Sequence, residues 1–228
     1  MARQPRLVLS GHAHHLVQRG HNLQSVFGDD EDRRHYLAAL QEAARAHGVA
    51  VHAYALLDNQ VQLLLTPATE PALSRMMQAL GRRYVAAFNR RHGRSGTLWE
   101  GRYRAAVLQP GAHTLQSLRL IDGLVPRPPP PGGAWSSAPH RLGLRRDSLL
   151  TDPPEFWQLG NTPFEREAAY GRLLEQGLDA ITLRRIEHAA AHGWAIGSEP
   201  FLAQVAQALG RAVRPRARGR PPRHTGSG

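Results

Sequence analysis

Residues 49–65 read V-A-V-H-A-Y-A-L-L, then D-N, then Q-V-Q-L-L-L. Two apolar runs of strand length around Asp58-Asn59 predict a tight β-hairpin in the middle of a sheet. Side chains alternate between faces along a strand, so Gln60 and Gln62 share one face while Val61 and Leu63 enter the other. A central strand that presents two amides side by side either leaves that face to water or builds a polar site on it.

The flanking segments supply partners for the hairpin. Residues 7–18 predict a first strand ending at Gly20. Asp29 or Asp30 then caps a helix whose acidic first turn suits the helix dipole, and Gly48 closes it. Tyr36, Leu37, Leu40 and Ala44 fall on its core stripe. A second helix is predicted over 71–89, with Leu73, Met76, Met77, Leu80, Tyr84 and Phe88 on its apolar side, and a strand follows over 105–108. At 228 residues the chain can bury one substantial core plus a smaller appendage.

Cysteine is absent, which excludes disulfides, thiolate metal sites and a cysteine nucleophile. His12, His14 and His15 invite a zinc reading, but only His12 and His14 share a strand face and no spaced ligand pair completes a tetrahedral set. No apolar run approaches the ~18 residues of a membrane span, and the N-terminal residues lack a signal-peptide core, so a soluble cytoplasmic protein is expected.

The formal charge is +11, and all 29 basic residues are arginine. Such an excess attracts a polyanion and releases its counterions, which makes nucleic acid the expected partner. Between Arg75 and Arg104 eight arginines face one acid, Glu100, with Tyr84, Trp99 and Tyr103 interleaved. Arginine for phosphates and aromatics for bases is the pattern of a single-strand or hairpin surface. The expected DNA contacts here are Arg82, Arg83, Arg90, Arg91, Arg94, Trp99, Arg102, Tyr103 and Arg104.

Three strings together resemble the single-tyrosine transposases of insertion sequences and their REP-associated relatives. D-N-Q-V-Q-L-L-L is similar to their strand N-H-V-H-L-L. His14, His15, Val17, Arg19 and Gly20 match an opening strand H-H-V-x-x-R-G-N, and F-N-R-R-H-G-R-S-G-T-L-W-E-G-R-Y-R resembles the segment after their second helix. The resemblance covers about residues 5–125 and implies an α+β, ferredoxin-like β-α-β-β-α-β domain, in agreement with the elements read above.

In that family the two strand histidines hold a divalent ion, Mg or Mn, and a helical tyrosine attacks the scissile phosphate of single-stranded DNA. Here Gln60 and Gln62 occupy the metal positions. Aligned on Arg119, Ile121 and Trp135-Ser136-Ser137, the nucleophile position is Leu120, and the family string L-N-P-V-R-A is deleted between Asp122 and Gly123. Tyr103 and Tyr84 read as stacking or packing residues, so that Tyr103 is a poor substitute nucleophile. The resemblance therefore implies a DNA-binding, transposase-like protein that has lost cleavage and needs no cofactor, acting as a regulator at REP-like hairpins or transposon ends. Two alternatives stay open: a metal-dependent transposase with a displaced tyrosine, and a decayed product without selected function. A homodimer through the sheet also stays open.

The expected organisation is a transposase-like domain over 1–125, a proline-rich linker over 126–147, a helical extension over 148–212 and a disordered arginine-rich tail over 213–228. In the extension, helices are expected from 165 and over 182–192, and Ser198 caps another over 199–209 that Gly210 ends. The glycine turn between the last two is consistent with a helix-turn-helix-like DNA contact. In the tail, Arg218-Gly219-Arg220-Pro221 resembles an AT-hook core, whose two arginines enter a narrow minor groove. The alternative is a polybasic tail on phosphates.

Overall fold

The computed structural model describes residues 6–125 and 135–215. Its centre is a five-stranded sheet in the order β2-β3-β1-β4-β5. The strands are β1 (His14–Arg19), β2 (Val49–Leu57), β3 (Gln60–Pro67), β4 (Arg104–Leu108) and the two-residue β5 (Ala195–Ile196). With α1 (Asp30–His47) between β1 and β2, and α2 (Glu70–Arg91) between β3 and β4, the first four strands have the β-α-β-β-α-β order, all neighbours antiparallel. The protein is α+β, as expected.

Local chemistry accounts for these elements. Asp29 caps α1, its carboxylate accepting from the Glu31 and Asp32 N–H groups, and Gly48 ends it in the left-handed conformation at φ 64°. The hairpin pairs Leu57 with Gln60 across Asp58-Asn59. A glycine is required at position 20, where a Cβ would lie 2.2 Å from the Gln24 carbonyl oxygen.

Alternation along the strands splits the core. Leu16, Tyr54, Val61, Leu63 and Leu65 point to the face covered by Tyr36 and Leu40 of α1 and Leu73, Met76, Leu80 and Tyr84 of α2. Ala53, Ala55, Leu64 and Ala106 point to the other face, covered by Leu118, Leu120 and Ile121 of α3 (Ala112–Gly123), Tyr170 of α6 (Pro163–Gln176) and Ile186, Ala189 and Ala190 of α7 (Ala180–His192). Two short helices, α4 (Ala138–Arg141) and α5 (Pro154–Trp157), precede α6. A third cluster joins Leu7, Val107 and Ala195 to Phe201 and Val205 of α8 (Glu199–Leu209).

Three expectations about the C-terminal part need correction. Residues 135–147, expected as linker, are bound to the domain: Leu56 N–H donates to the Trp135 carbonyl, Ser137 N–H to Tyr54, and the Trp135 indole to Asp30. Ser136 bridges Ala55, so this segment covers the free edge of β2, and Thr151 N–H on Val51 extends the cover. Second, the stretch between α7 and α8 is not the turn of a helix-turn-helix. Ala195 and Ile196 pair in parallel with Val107 and Leu108, so it lengthens the sheet. Third, Val213, expected in the disordered tail, is buried and accepts from Ala195 N–H. Residues 126–134 of the expected linker, and Arg218 and Arg220 with the AT-hook-like string, lie outside the described residues.

No helix among the described residues is long and apolar enough to cross a membrane.

Candidate nucleic-acid interface

The amide face of β3 opens into a cleft of about 570 Å³. Its floor is the adjoining ends of β1 and β3, where Arg19 pairs with Gln60 and Val17 with Gln62. One wall is the loop entering β4, with Glu100, Arg102 and Arg104. The other is α7, which contributes Arg184, Glu187 and His188. Arg104 ties the walls together, its Nη1 donating to the Ala191 carbonyl at 2.6 Å. Four arginines and two glutamates leave the cleft cationic, with glutamine amides at its base.

Gln62 is nearly buried and is held by His15, whose Nε2 lies 2.8 Å from the Gln62 Oε1. An amide oxygen only accepts, so His15 carries its proton on Nε2. Its Nδ1 is then a buried acceptor without a partner among the described residues. Burial lowers the His15 pKa to about 4, against the smaller upward effect of the Gln62 hydrogen bond, so the ring is neutral at pH 7.

This donor set does not fit the divalent ion implied by the resemblance. Gln60 and Gln62 offer neutral amide oxygens, weaker ligands than imidazoles, and that of Gln62 is engaged by His15. No group of three or more His, Asp or Glu among the described residues is arranged to hold a metal. Of the three early histidines, His14 is buried with its Nδ1 on the His12 carbonyl and its Nε2 accepting from Leu9 N–H, so it is not turned toward the cleft amides.

No tyrosine of the chain lines the cleft. Leu120, at the position the resemblance gives to the nucleophile, is 5% exposed and packs in the second core cluster. Tyr36, Tyr54 and Tyr170 are fully buried, and burial pushes all three hydroxyls above the usual phenol range. Tyr84 is buried, donates to the Val26 carbonyl, and is shifted the same way by burial. The Tyr103 hydroxyl meets Ser74 of α2 at 3.1 Å, on the other side of the sheet from Gln62.

The expected set of DNA contacts is divided by the fold. Arg102 and Arg104 line the cleft. Arg82, Arg83, Arg90 and Arg91 belong to α2, on the opposite face of the sheet, and Arg94 follows in the next turn, 5.6 Å over the Phe88 ring. Arg83 pairs with Glu42, and Arg91 is spent on Asp29 and Asp32 at 2.5 and 2.7 Å. Trp99 and Tyr103 are 7% and 6% exposed, so the expectation that they stack on bases is corrected: both rings complete the first core cluster. Reading from the sequence missed Arg184, Glu187 and His188. Their only signal was helical spacing, because i, i+3 and i+4 fall on one helix face.

Residues 8–119 match the model of the family described as Transposase IS200 like. No curated protein is significantly similar to the chain. Among solved structures, the chain is similar to a REP-associated tyrosine transposase bound to a REP hairpin, at 14% identity and a TM-score of 0.44, over 54% of this chain and 71% of the other. A candidate transposase of Deinococcus radiodurans R1 is similar at 23% identity and a TM-score of 0.35, over 50% of this chain and 89% of the other.

Proposed function

We propose that the protein, whose residues 8–119 match the model of the IS200-like transposase family, binds single-stranded or hairpin DNA in the cleft beneath α7 and does not cut it. The observation that carries this reading is the cationic cleft without a nucleophile: Arg19, Arg102, Arg104 and Arg184 line it, and none of the five tyrosines does. Arginines hold the phosphates, the counterions they release drive binding, and the glutamine amides meet sugar or base edges. With Gln62 held by His15, binding needs no divalent ion. A bound but uncut strand makes the protein a competitor or regulator of active transposases at REP-like hairpins or transposon ends.

The test is to incubate the full chain with labelled hairpin DNA and Mn²⁺ and run native and denaturing gels. The expected result is a shift on the native gel that persists in EDTA and vanishes on the denaturing gel. A labelled band surviving denaturation overturns the reading, since it requires a covalent protein–DNA link and hence a nucleophile. No shift on either gel overturns it equally.

Both cleft arginines of the β4 loop are expected to contribute. Arg102→Ala with Arg104→Ala should weaken hairpin binding about tenfold or more and reduce the slope of log affinity against log salt by about 0.7 for each single-strand phosphate, or about 0.9 for each stem phosphate, no longer neutralised. An unchanged slope in fluorescence anisotropy titrations would place the phosphates elsewhere, on the α2 arginines for example.

A further inference from the structure

The cleft does not end at the β4 wall. Arg102, Arg104 and Ala191 also line a second cavity of about 420 Å³ on the far side of that ridge. The two differ in charge. The first mixes its arginines with Glu100 and Glu187, whereas the described residues lining the second include Arg6, Arg102, Arg104 and Arg211 and no carboxylate side chain. Arg6 is fixed in place there: its guanidinium lies 3.8 Å over the Tyr103 ring, and its Nε donates to the Tyr103 carbonyl. Trp194, half-buried between α7 and β5, forms part of the same wall.

A cluster of arginines selects a polyanion, and an indole beside them selects one that carries flat rings. A single nucleic-acid strand satisfies both, with phosphates on the arginines and a base against the indole. Each cavity has the volume of an ordinary ligand site, and the shared ridge lets consecutive phosphates pass from one to the other. Arg211 also begins the run of six arginines over 211–223, so the most basic stretch of the chain starts at this cavity.

We infer that the second cavity continues the strand path and takes the nucleotides flanking those in the first cleft. The inference rests on the nucleic-acid reading above and extends it: His192, Trp194 and Arg211, all outside the family-matched residues, become part of the binding site. The C-terminal extension is then a wall of that site, and not a separate DNA-binding module.

The test uses the full chain and labelled oligodeoxythymidines from about four to about sixteen nucleotides, the range of single-strand site sizes. Arg184→Ala, in the first cleft alone, is expected to weaken binding by a similar factor at every length. For Arg211→Ala the loss should grow with length, reaching several-fold on the longest strands, with a salt slope about 0.7 lower there. Trp194→Leu keeps an apolar side chain at the wall but removes the stacking face, and should weaken the same long strands. It serves as the second variant if Arg211→Ala disturbs the terminal segment. A loss of equal factor at all lengths, or none from either variant, overturns the inference while leaving the first cleft standing. Failure of the unmodified chain to bind any strand overturns both.

Discussion

Asp122→Ala is expected to destabilise the protein by about 3–5 kcal/mol, the cost of leaving a buried charge without its partner. Asp122 and Arg141 are fully buried, and the Arg141 Nη1 donates to the Asp122 Oδ2 at 3.0 Å. The same oxygen accepts from the Tyr170 hydroxyl at 2.6 Å, and the other from Ser137. One carboxylate therefore joins α3, the segment covering β2, α4 and α6. Without it, the guanidinium retains, among the described residues, Asp152, whose Oδ1 is 3.7 Å from its Nε, and the faces of Phe156 and Tyr170 at about 6 Å. Urea unfolding followed by circular dichroism measures the loss. A cost under about 1 kcal/mol would mean that Asp152 alone compensates Arg141. Replacing the network by volume-matched apolar residues, Asp122→Leu with Arg141→Met and Tyr170→Phe, should recover much of it, because such exchanges are often neutral.

The network also accounts for a string outside the three that carry the family resemblance. Trp135-Ser136-Ser137 served in the sequence as an anchor for locating the missing nucleophile. In the fold its indole, its backbone and its Ser137 hydroxyl bind Asp30, β2 and Asp122. A residue can hold its place in a motif because it closes a sheet edge, and such a role leaves no local pattern to read.

Locality separates what was legible from what was not. The β2–β3 hairpin, the Asp29 and Ser198 caps and the Gly48 and Gly210 stops depend on neighbours within four residues, and the structure has all of them. The pairing of the two amides on one strand face was equally local. Everything that turns that face into a cleft comes from far away. His15 reaches Gln62 across 47 residues, and α7 arrives after a further hundred or more. The aromatics beside the arginines misled for the opposite reason, since interleaving in sequence says nothing about which rings the core absorbs. Trp99 and Tyr103 are absorbed into the first core cluster, Tyr103 beneath the Arg6 guanidinium at the edge of the cavity that the half-buried Trp194 also lines.

The second large effect expected is a loss of stability between pH 6.5 and pH 4. His14 and His15 are fully buried, and burial lowers both from 6.5 to about 4. The unfolded chain therefore binds more protons than the folded one throughout this window, so stability is fully present above pH 6.5 and falls as the pH drops toward 4. Geometry gives the same direction. Protonating His14 removes the Nε2 lone pair that accepts Leu9 N–H, and protonating His15 puts a charge on an Nδ1 that has no partner among the described residues. Each ring is worth on the order of 3 kcal/mol at neutral pH, together a large part of a typical domain's stability. Carboxylates contribute lower down. Arg91 holds Asp29 below its usual range, and at Asp32 the upward push of burial is overcome by hydrogen bonds from Gly28 N–H, Arg91 and His92. Their stabilisation is lost only as the pH falls below about 4. Urea midpoints measured from pH 7 to 4 should thus fall most steeply through the histidine window. In His15→Gln, whose amide can still donate to Gln62, the fall should be about half as large. A midpoint flat from pH 7 to 5 would mean that both rings are already solvated in the folded protein, and with them the floor of the cleft.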